Sequence, residues 1–163
     1  QSLPASQAKS TTILLCSDHG QNLMREAQEI LLTREELSEV KGTLKIPPGH
    51  SGRVTHFYTQ SSTKRAKLKQ WLQEHVEDRA LIFDAKDIDE HKLLPVPTSR
   101  KILQRLGDLL LIGRDGVRLR IAREEPSTES ERLLPDEGLI GHHGSLTLDE
   151  LLTPFVAINA SLI

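Results

Sequence analysis

Two short motifs combine histidine with glycine at the border of an apolar element. Ser17-Asp18-His19-Gly20 follows an apolar run, and Gly141-His142-His143-Gly144 precedes a threonine-led helical segment. Carboxylate oxygens and neutral imidazole nitrogens suit zinc, manganese or iron. Glycine beside such residues lets the backbone turn sharply and lets other groups approach closely. Taken together, the two motifs predict a metal site built from distant segments.

The first motif is also compatible with other roles. Ser17, Asp18 and His19 have the residue types of a nucleophile triad, but consecutive residues of an extended segment point to opposite sides, which disfavours a triad. Asp18 could instead cap a helix that starts near Asn22, and His19 could be an ordinary loop histidine. For either motif alone this structural role is favoured, whereas the two motifs together favour a metal site. The remaining histidines lack partner spacing and are predicted to be ordinary: His50, His56, His75 and His91.

The elements that position these motifs are an early strand and a final strand. The apolar segment Thr11 to Cys16 predicts a buried core strand, and Cys16 within it is expected to be a small buried hydrophobic residue. Open α/β sheets place their chemistry at the carboxyl ends of such strands. The final apolar segment, Pro154 to Ala160, is expected to join the same sheet because only adjacency would bring Gly20 and Gly144 together.

The middle of the chain predicts a mixture of short strands and helices. Leu68, Leu72 and Val76 form one stripe of an amphipathic helix. Its basic residues could bind phosphate, although a solvated face is favoured. Residues 23–40 are expected to be helical or irregular surface. Residues 42–60 are predicted to form two strands around a Pro-Pro-Gly turn, and residues 79–85 a further strand. A hairpin is predicted with its turn at 114–116, followed by a loop at 123–139. Thr147 and Glu150 are predicted to form a capping box.

Composition narrows the class of protein. Charged residues make up 27% and hydrophobic residues 37% of 163 residues, with a net charge of -2. Such a balance offers no broad field for nucleic acid. No apolar run approaches the ~20 residues of a membrane span. The single cysteine cannot form an internal disulfide, so the fold does not indicate an oxidising compartment. The expected localisation is cytoplasmic.

Four segments carry a family resemblance: "TILLCSDHGQ", "GRVTHFYTQ", "RLGDLLLIGRDGV" and "GHHGSLTLDELLTPFVAI". They resemble the C-terminal half of the type I phosphodiesterase/nucleotide pyrophosphatase branch of the alkaline phosphatase superfamily. The resemblance covers nearly the whole chain. It implies an α/β (α+β) fold, a fragment of an alkaline-phosphatase-like mixed sheet. Its implied parts are a core strand with a metal-ligand loop in 1–41, an inserted small α+β lobe in 42–121, and a second metal-ligand loop, helix and final core strand in 122–163.

The resemblance also implies a site. Enzymes of that branch use two divalent metal ions, usually zinc, with manganese as the alternative here. Asp18 and His19 would ligate one ion, His143 would ligate the other, and His142 would occupy a variable position. The two metals would stabilise the attacking and leaving oxygens of a phosphate ester. Lys45, Arg53 and Arg114 of the lobe are candidate phosphate contacts, with surface solubility as the favoured alternative.

One departure from the family pattern is large. The nucleophile and the remaining metal ligands of the family lie upstream of a Ser-Asp-His-Gly strand, but only seventeen residues precede Asp18. The chain is therefore expected to be the C-terminal part of a longer phosphodiesterase, without a catalytic nucleophile of its own and with partial or no metal occupancy. Its expected partners are a phosphate-ester or nucleotide substrate and the missing N-terminal half. A non-catalytic binding module and a phosphomutase-like isomerase remain alternatives.

Overall fold

Ten strands and five short helices make up the part of the chain that the computed structural model describes, which is residues 4–24, 29–94, 97, 99–121 and 141–162. The helices are α1 Ala5–Ala8, α2 Arg34–Val40, α3 Ser62–Val76, α4 Arg100–Leu106 and α5 Leu148–Leu151. The strands are β1 Thr12–Cys16, β2 Asn22–Leu23, β3 Glu29–Leu32, β4 Gly49–Ser51, β5 Val54–Phe57, β6 Ala80–Asp84, β7 Leu109–Gly113, β8 Arg118–Ile121, β9 Gly141–His142 and β10 Phe155–Asn159. Single 3-10 turns lie at Lys41–Thr43, Ala85–Asp87 and Ala160–Leu162.

The first and last long strands form one antiparallel ribbon. β1 pairs with β10 so that Thr12 faces Asn159 and Cys16 faces Phe155. The predicted adjacency of these two segments is therefore confirmed. The predicted burial is wrong, because Cys16 is exposed and all five residues of β1 are exposed. A two-stranded ribbon has no second layer of its own to cover its apolar side chains.

The segment predicted to be an inserted lobe, residues 42–121 and called the lobe below, contains a four-stranded sheet that is separate from the β1–β10 ribbon. Its strand order is β4-β5-β7-β6, and every neighbouring pair is antiparallel. β7 lies inside this sheet and is buried along its whole length, which explains its unbroken apolar sequence. The turn between β4 and β5 lies at Gly52, whereas the sequence predicted a turn at Pro-Pro-Gly. Gly52 has a positive φ of 56°, which favours glycine there.

Helix α3 covers one face of the lobe sheet. Leu68, Leu72 and Val76 are fully buried, and they share a core with Phe57 and Leu111. Their spacing of four residues places them on one side of a helix, so the predicted amphipathic helix is confirmed. The basic residues of this helix lie outside that stripe, and two of them, Arg65 and Lys69, pair with Asp84.

The predicted hairpin around Asp115 is wrong, although its turn exists. Val117 N–H donates to the Arg114 carbonyl at 3.0 Å, and Gly116 has a positive φ. The strands on either side diverge, because β7 is already paired with β5 and β6 on its two edges. β8 instead pairs in parallel with β3.

Residues 23–40 also differ from expectation in part. A helix forms at α2, but β3 is a strand in which Ile30 and Leu32 are buried in the lobe core. Val40 packs in the same core. The predicted boundary of the lobe, between residues 41 and 42, stays a prediction.

The end of α2 nearest the N-terminus carries a capping box. Thr33 Oγ accepts from Glu36 N–H at 3.2 Å, while the Thr33 N–H and hydroxyl donate to Glu36 Oε2 at 2.7 and 2.8 Å. These hydrogen bonds hold the pKa of the Glu36 carboxyl below its usual value, and the bond from the Thr33 backbone N–H has the largest effect. A lowered carboxyl pKa stabilises the fold above the pKa of the unfolded chain, and that contribution is lost as pH falls through the folded pKa.

We expect Thr33→Ala to lower the free energy of unfolding by about 1 kcal/mol at neutral pH, because the cap is lost. The pKa of Glu36 should rise towards its usual value. Lowering the pH from neutral to acidic should therefore reduce the free energy of unfolding by less in Thr33→Ala than in the unsubstituted chain. Urea unfolding at neutral and acidic pH measures both effects. Thr63→Ala, at an exposed threonine in the first turn of α3, is the control. Equal losses for the two variants would contradict the prediction.

No helix in the described ranges is both long and apolar enough to cross a membrane.

Candidate metal-ligand site

The loop after β1 is shaped by its own polar groups. The Ser17 hydroxyl donates to the His19 carbonyl at 2.7 Å, and the His19 N–H donates to Asp18 Oδ1 at 3.1 Å. Ser17 therefore makes its bond to a backbone oxygen and not to an imidazole. The rejection of a linear triad agrees with this geometry.

The His19 ring is oriented as a ligand ring usually is. Its Nδ1 lies 2.7 Å from the Gly20 carbonyl oxygen, and because a carbonyl can only accept, Nδ1 must carry the proton. Metal-binding histidines commonly donate their second ring N–H to a carbonyl in this way. In the neutral tautomer that this contact favours, Nε2 of His19 keeps its lone pair, and Nε2 lies 3.7 Å from Asp18 Oδ1. Two ligands of one tetrahedral zinc lie about 3.4 Å apart at ordinary bond lengths, so the pair fits one metal ion.

The fold brings His143 directly against His19. The two imidazole rings stack with their centroids 3.6 Å apart and an angle of 14° between their planes. The structure thus places all three predicted ligands at one end of the β1–β10 ribbon.

The adjacent His142 differs in its surroundings. Its backbone pairs with Asn22 where β2 meets β9, and its side chain is 8% exposed, whereas His143 is exposed. Among the described residues, Nε2 of His142 is buried without a hydrogen-bond partner. His142 is therefore turned away from the surface that carries His19 and His143.

Close backbone contact holds the His19 loop against α5, the helix that follows the His143 loop. Gly20 N–H donates to the Glu150 carbonyl and Gln21 N–H to the Asp149 carbonyl, both at 2.9 Å. A Cβ added at Gly20 would lie 1.8 Å from the Asp149 carbonyl oxygen. Only glycine permits this approach, which is what a glycine after the Asp-His pair was predicted to do.

The lobe contacts the second histidine loop through its first turn. Arg53 N–H donates to the His143 carbonyl at 3.2 Å. A Cβ at Gly52 would lie 2.4 Å from that same carbonyl oxygen. The lobe and the His143 loop are therefore in backbone contact.

Sequence reasoning missed the central side-chain contact of this region. Arg53, considered as a surface residue or a phosphate contact, is fully buried and forms an ion pair with the buried Glu150. Glu150 was assigned to a capping box with Thr147, but the Thr147 hydroxyl donates to the Glu150 carboxylate and accepts no backbone N–H. Arginine and glutamate are so often exposed that their residue types carried no signal of this pair.

Lys45 and Arg114 are exposed. Lys45 lines a surface cavity of about 370 Å³ at the opposite end of β5 from Arg53, together with Arg65, Lys86 and Arg100. A phosphate contact by Lys45 or Arg114 stays a prediction.

The four ordinary histidines have local partners. Nδ1 of His56 and of His75 lies within 3.0 Å of a backbone carbonyl oxygen, His50 contacts Thr55, and His91 packs edge-on against Phe83. Within the described ranges, no group of three or more His, Cys, Asp or Glu residues is arranged to hold a single metal ion. Asp18 and His19 could supply two ligands to one ion and His143 one ligand to another, so each ion would need further ligands.

Comparison with known proteins gives a match in structure and none in sequence. No protein-family profile and no curated protein matches the sequence. The fold is similar to that of human ectonucleotide pyrophosphatase/phosphodiesterase 5, with a TM-score of 0.61 and 17% identity over 93% of this chain and 34% of that chain.

Two further solved structures are similar. Murine ectonucleotide pyrophosphatase/phosphodiesterase 5, an inactive variant in complex with AMP, has a TM-score of 0.55 and 14% identity over 90% of this chain and 33% of that chain. Phosphonoacetate hydrolase from Sinorhizobium meliloti 1021, in complex with phosphonoformate, has a TM-score of 0.53 and 17% identity over 90% of this chain and 36% of that chain. The chain thus spans about a third of the length of each. The predicted mixed α/β fold is therefore confirmed, because these solved structures share it.

Proposed function

We propose that this chain is the C-terminal part of a metal-dependent phosphodiesterase or nucleotide pyrophosphatase that hydrolyses phosphate esters at a two-metal site. The observation that carries the proposal is the stacking of His19 on His143, with Asp18 beside them. The fold similarity to phosphodiesterase/pyrophosphatase and phosphonate-hydrolysing enzymes supports the same class of reaction.

The residues would divide the work as follows. Asp18 and His19 would hold one divalent ion, zinc or manganese, and His143 would hold the second. When bound, the two ions would lower the pKa of the nucleophile and stabilise the leaving oxygen. The Gly20 carbonyl keeps the proton of His19 on Nδ1, which leaves Nε2 free to bind. The nucleophile and the remaining ligands would come from the N-terminal half of the parent protein.

The exposed ribbon supports a role for that missing half. Leu14, Leu15 and Phe155 are 60%, 65% and 69% exposed, although they lie in the longest strands outside the lobe. Leu14 and Phe155 lie on one face of the ribbon and Leu15 on the other, so both faces carry exposed apolar side chains. Exposed apolar surface of this kind commonly marks an interface. We infer that the N-terminal half covers this ribbon and completes the sheet.

Zinc binding tests the ligand assignment. We expect His143→Ala in the parent enzyme to weaken zinc binding at least about tenfold, since loss of an outer-shell partner alone commonly costs that much. His142→Ala should retain most of the metal because its ring is turned away from His19. Metal analysis after dialysis and zinc titration measure both. If His143→Ala and His142→Ala both fold and lose metal equally, the assignment of His143 as the ligand is contradicted.

Hydrolysis of a nitrophenyl phosphodiester, with zinc or manganese added, tests the reaction. Three candidate ligands shared between two metals fall short of the four that zinc usually takes, so the isolated chain should not turn over substrate. Turnover should appear once the N-terminal half is added. If the isolated chain shows metal-dependent turnover, and if Ser17→Ala abolishes it, the nucleophile does not come from the N-terminal half and Ser17 is the nucleophile. A metal-free parent protein would favour a non-catalytic module.

A further inference from the structure

A fully buried ion pair lies where the lobe, the His143 loop and the His19 loop meet. The side chains of Arg53 and Glu150 are 0% and 1% exposed. Removing two charges from water is costly, and the cost is offset only where further hydrogen bonds satisfy both groups. Here the Arg53 guanidinium also donates to the carbonyls of Val117 and Gly113, each at 3.1 Å, and to that of Arg114.

The Glu150 side chain organises the loop that follows His143. Its Oε1 accepts the Ser145 N–H at 3.0 Å, and its Oε2 accepts the Thr147 hydroxyl. The partner arginine supports the same loop through its backbone, because Arg53 N–H donates to the His143 carbonyl. The loop is therefore held on both sides of Gly144.

The Glu150 backbone holds the other histidine loop. Its carbonyl accepts the Gly20 N–H at 2.9 Å, one residue after His19. One residue thus supports the His143 loop through its side chain and the His19 loop through its main chain. Through Arg53 it also ties both loops to the turn after β7.

We propose that Arg53 and Glu150 are positioning residues that keep the His19 and His143 rings in contact and fix the lobe relative to them. Both side chains are buried, so they act through the two loops without touching a metal or substrate. The proposal rests on the proposed function in one respect only, which is that the positioned rings are metal ligands.

The test uses the parent protein, in which this chain is joined to its N-terminal half, with labelled histidine. Ring-to-ring nuclear Overhauser effects report the His19–His143 contact without any metal, and calorimetric titration with zinc alone reports affinity. The main variant is R53M/E150M, which removes both charges together and so avoids leaving one buried charge unpaired. Glu150→Gln, which keeps an acceptor oxygen, is a milder second variant. Glu35→Gln, at an exposed glutamate of α2, is the matched control.

The expected result is loss of the ring-to-ring signal in folded R53M/E150M, with zinc affinity reduced about tenfold or more. Glu150→Gln should fall between this variant and the parent chain, and its Ser145 amide should exchange with solvent faster. Glu35→Gln should change neither readout. If R53M/E150M does not fold, an unaltered ring signal and unaltered Ser145 exchange in Glu150→Gln would overturn the proposal.

Two outcomes separate this inference from the proposed function. Persistence of the ring signal in folded R53M/E150M would overturn the positioning role, whatever the zinc titration shows. Loss of the ring signal in R53M/E150M, in a parent protein that binds no zinc even without substitutions, would support the positioning role and count against the ligand assignment.

Discussion

Arg53→Ala is expected to lower the free energy of unfolding by about 3–5 kcal/mol, because it leaves the carboxylate of Glu150 buried without its partner. Glu150→Ala should cost a similar amount, since it leaves the guanidinium uncompensated. Domains are typically stable by only about 5–15 kcal/mol, so either variant should unfold at much lower urea concentration. Urea titration followed by circular dichroism measures the change.

A double-mutant cycle shows whether the loss comes from the pair. R53M/E150M should be less destabilised than Arg53→Met or Glu150→Met alone, because no charge remains buried. Arg100→Ala, at an exposed arginine, should change stability by less than about 0.5 kcal/mol. If the changes in the free energy of unfolding at the two sites simply add, the large losses in the single variants do not arise from an unpaired buried charge.

Gly20→Ala is expected to destabilise the chain by about 1–3 kcal/mol or more, because the added methyl group meets backbone that cannot move aside cheaply. The new Cβ would lie 1.8 Å from the Asp149 carbonyl oxygen, so the bonds from Gly20 to Glu150 and from Gln21 to Asp149 should both be lost. The His19 loop would then separate from α5. Urea unfolding measures the stability, and the ring-to-ring signal between His19 and His143 measures the loop.

Gly42→Ala is the matched control for the substitution itself. No atom lies within 4 Å of a Cβ added there, and Gly42 is not in the positive-φ region. Alanine should therefore be neutral or slightly stabilising, because it restricts the unfolded chain. Equal destabilisation at Gly20 and Gly42 would show that close packing at Gly20 is not the cause.

Local patterns in the sequence were sufficient for several parts of this protein. The apolar segment before Ser17 predicted β1, and the four-residue spacing of Leu68, Leu72 and Val76 predicted the buried face of α3. The two histidine motifs predicted which residues meet, and the structure brings His19 and His143 into contact. These features depend on periodicity and residue type within a few neighbouring positions, which a single sequence displays directly.

Only the tertiary structure decided which distant segments are partners. Asp115 marks a turn, but its flanking strands join different sheets because both edges of β7 are occupied. Cys16 has the apolar neighbours of a core residue, yet it is exposed, because β10 is the only strand of the described residues that pairs with its own strand. Arg53 and Glu150 lie 97 residues apart, and nothing in either local sequence shows that the two charges are buried together. Periodicity tells which face of an element is apolar, whereas partners are chosen by pairing and packing between elements far apart in sequence.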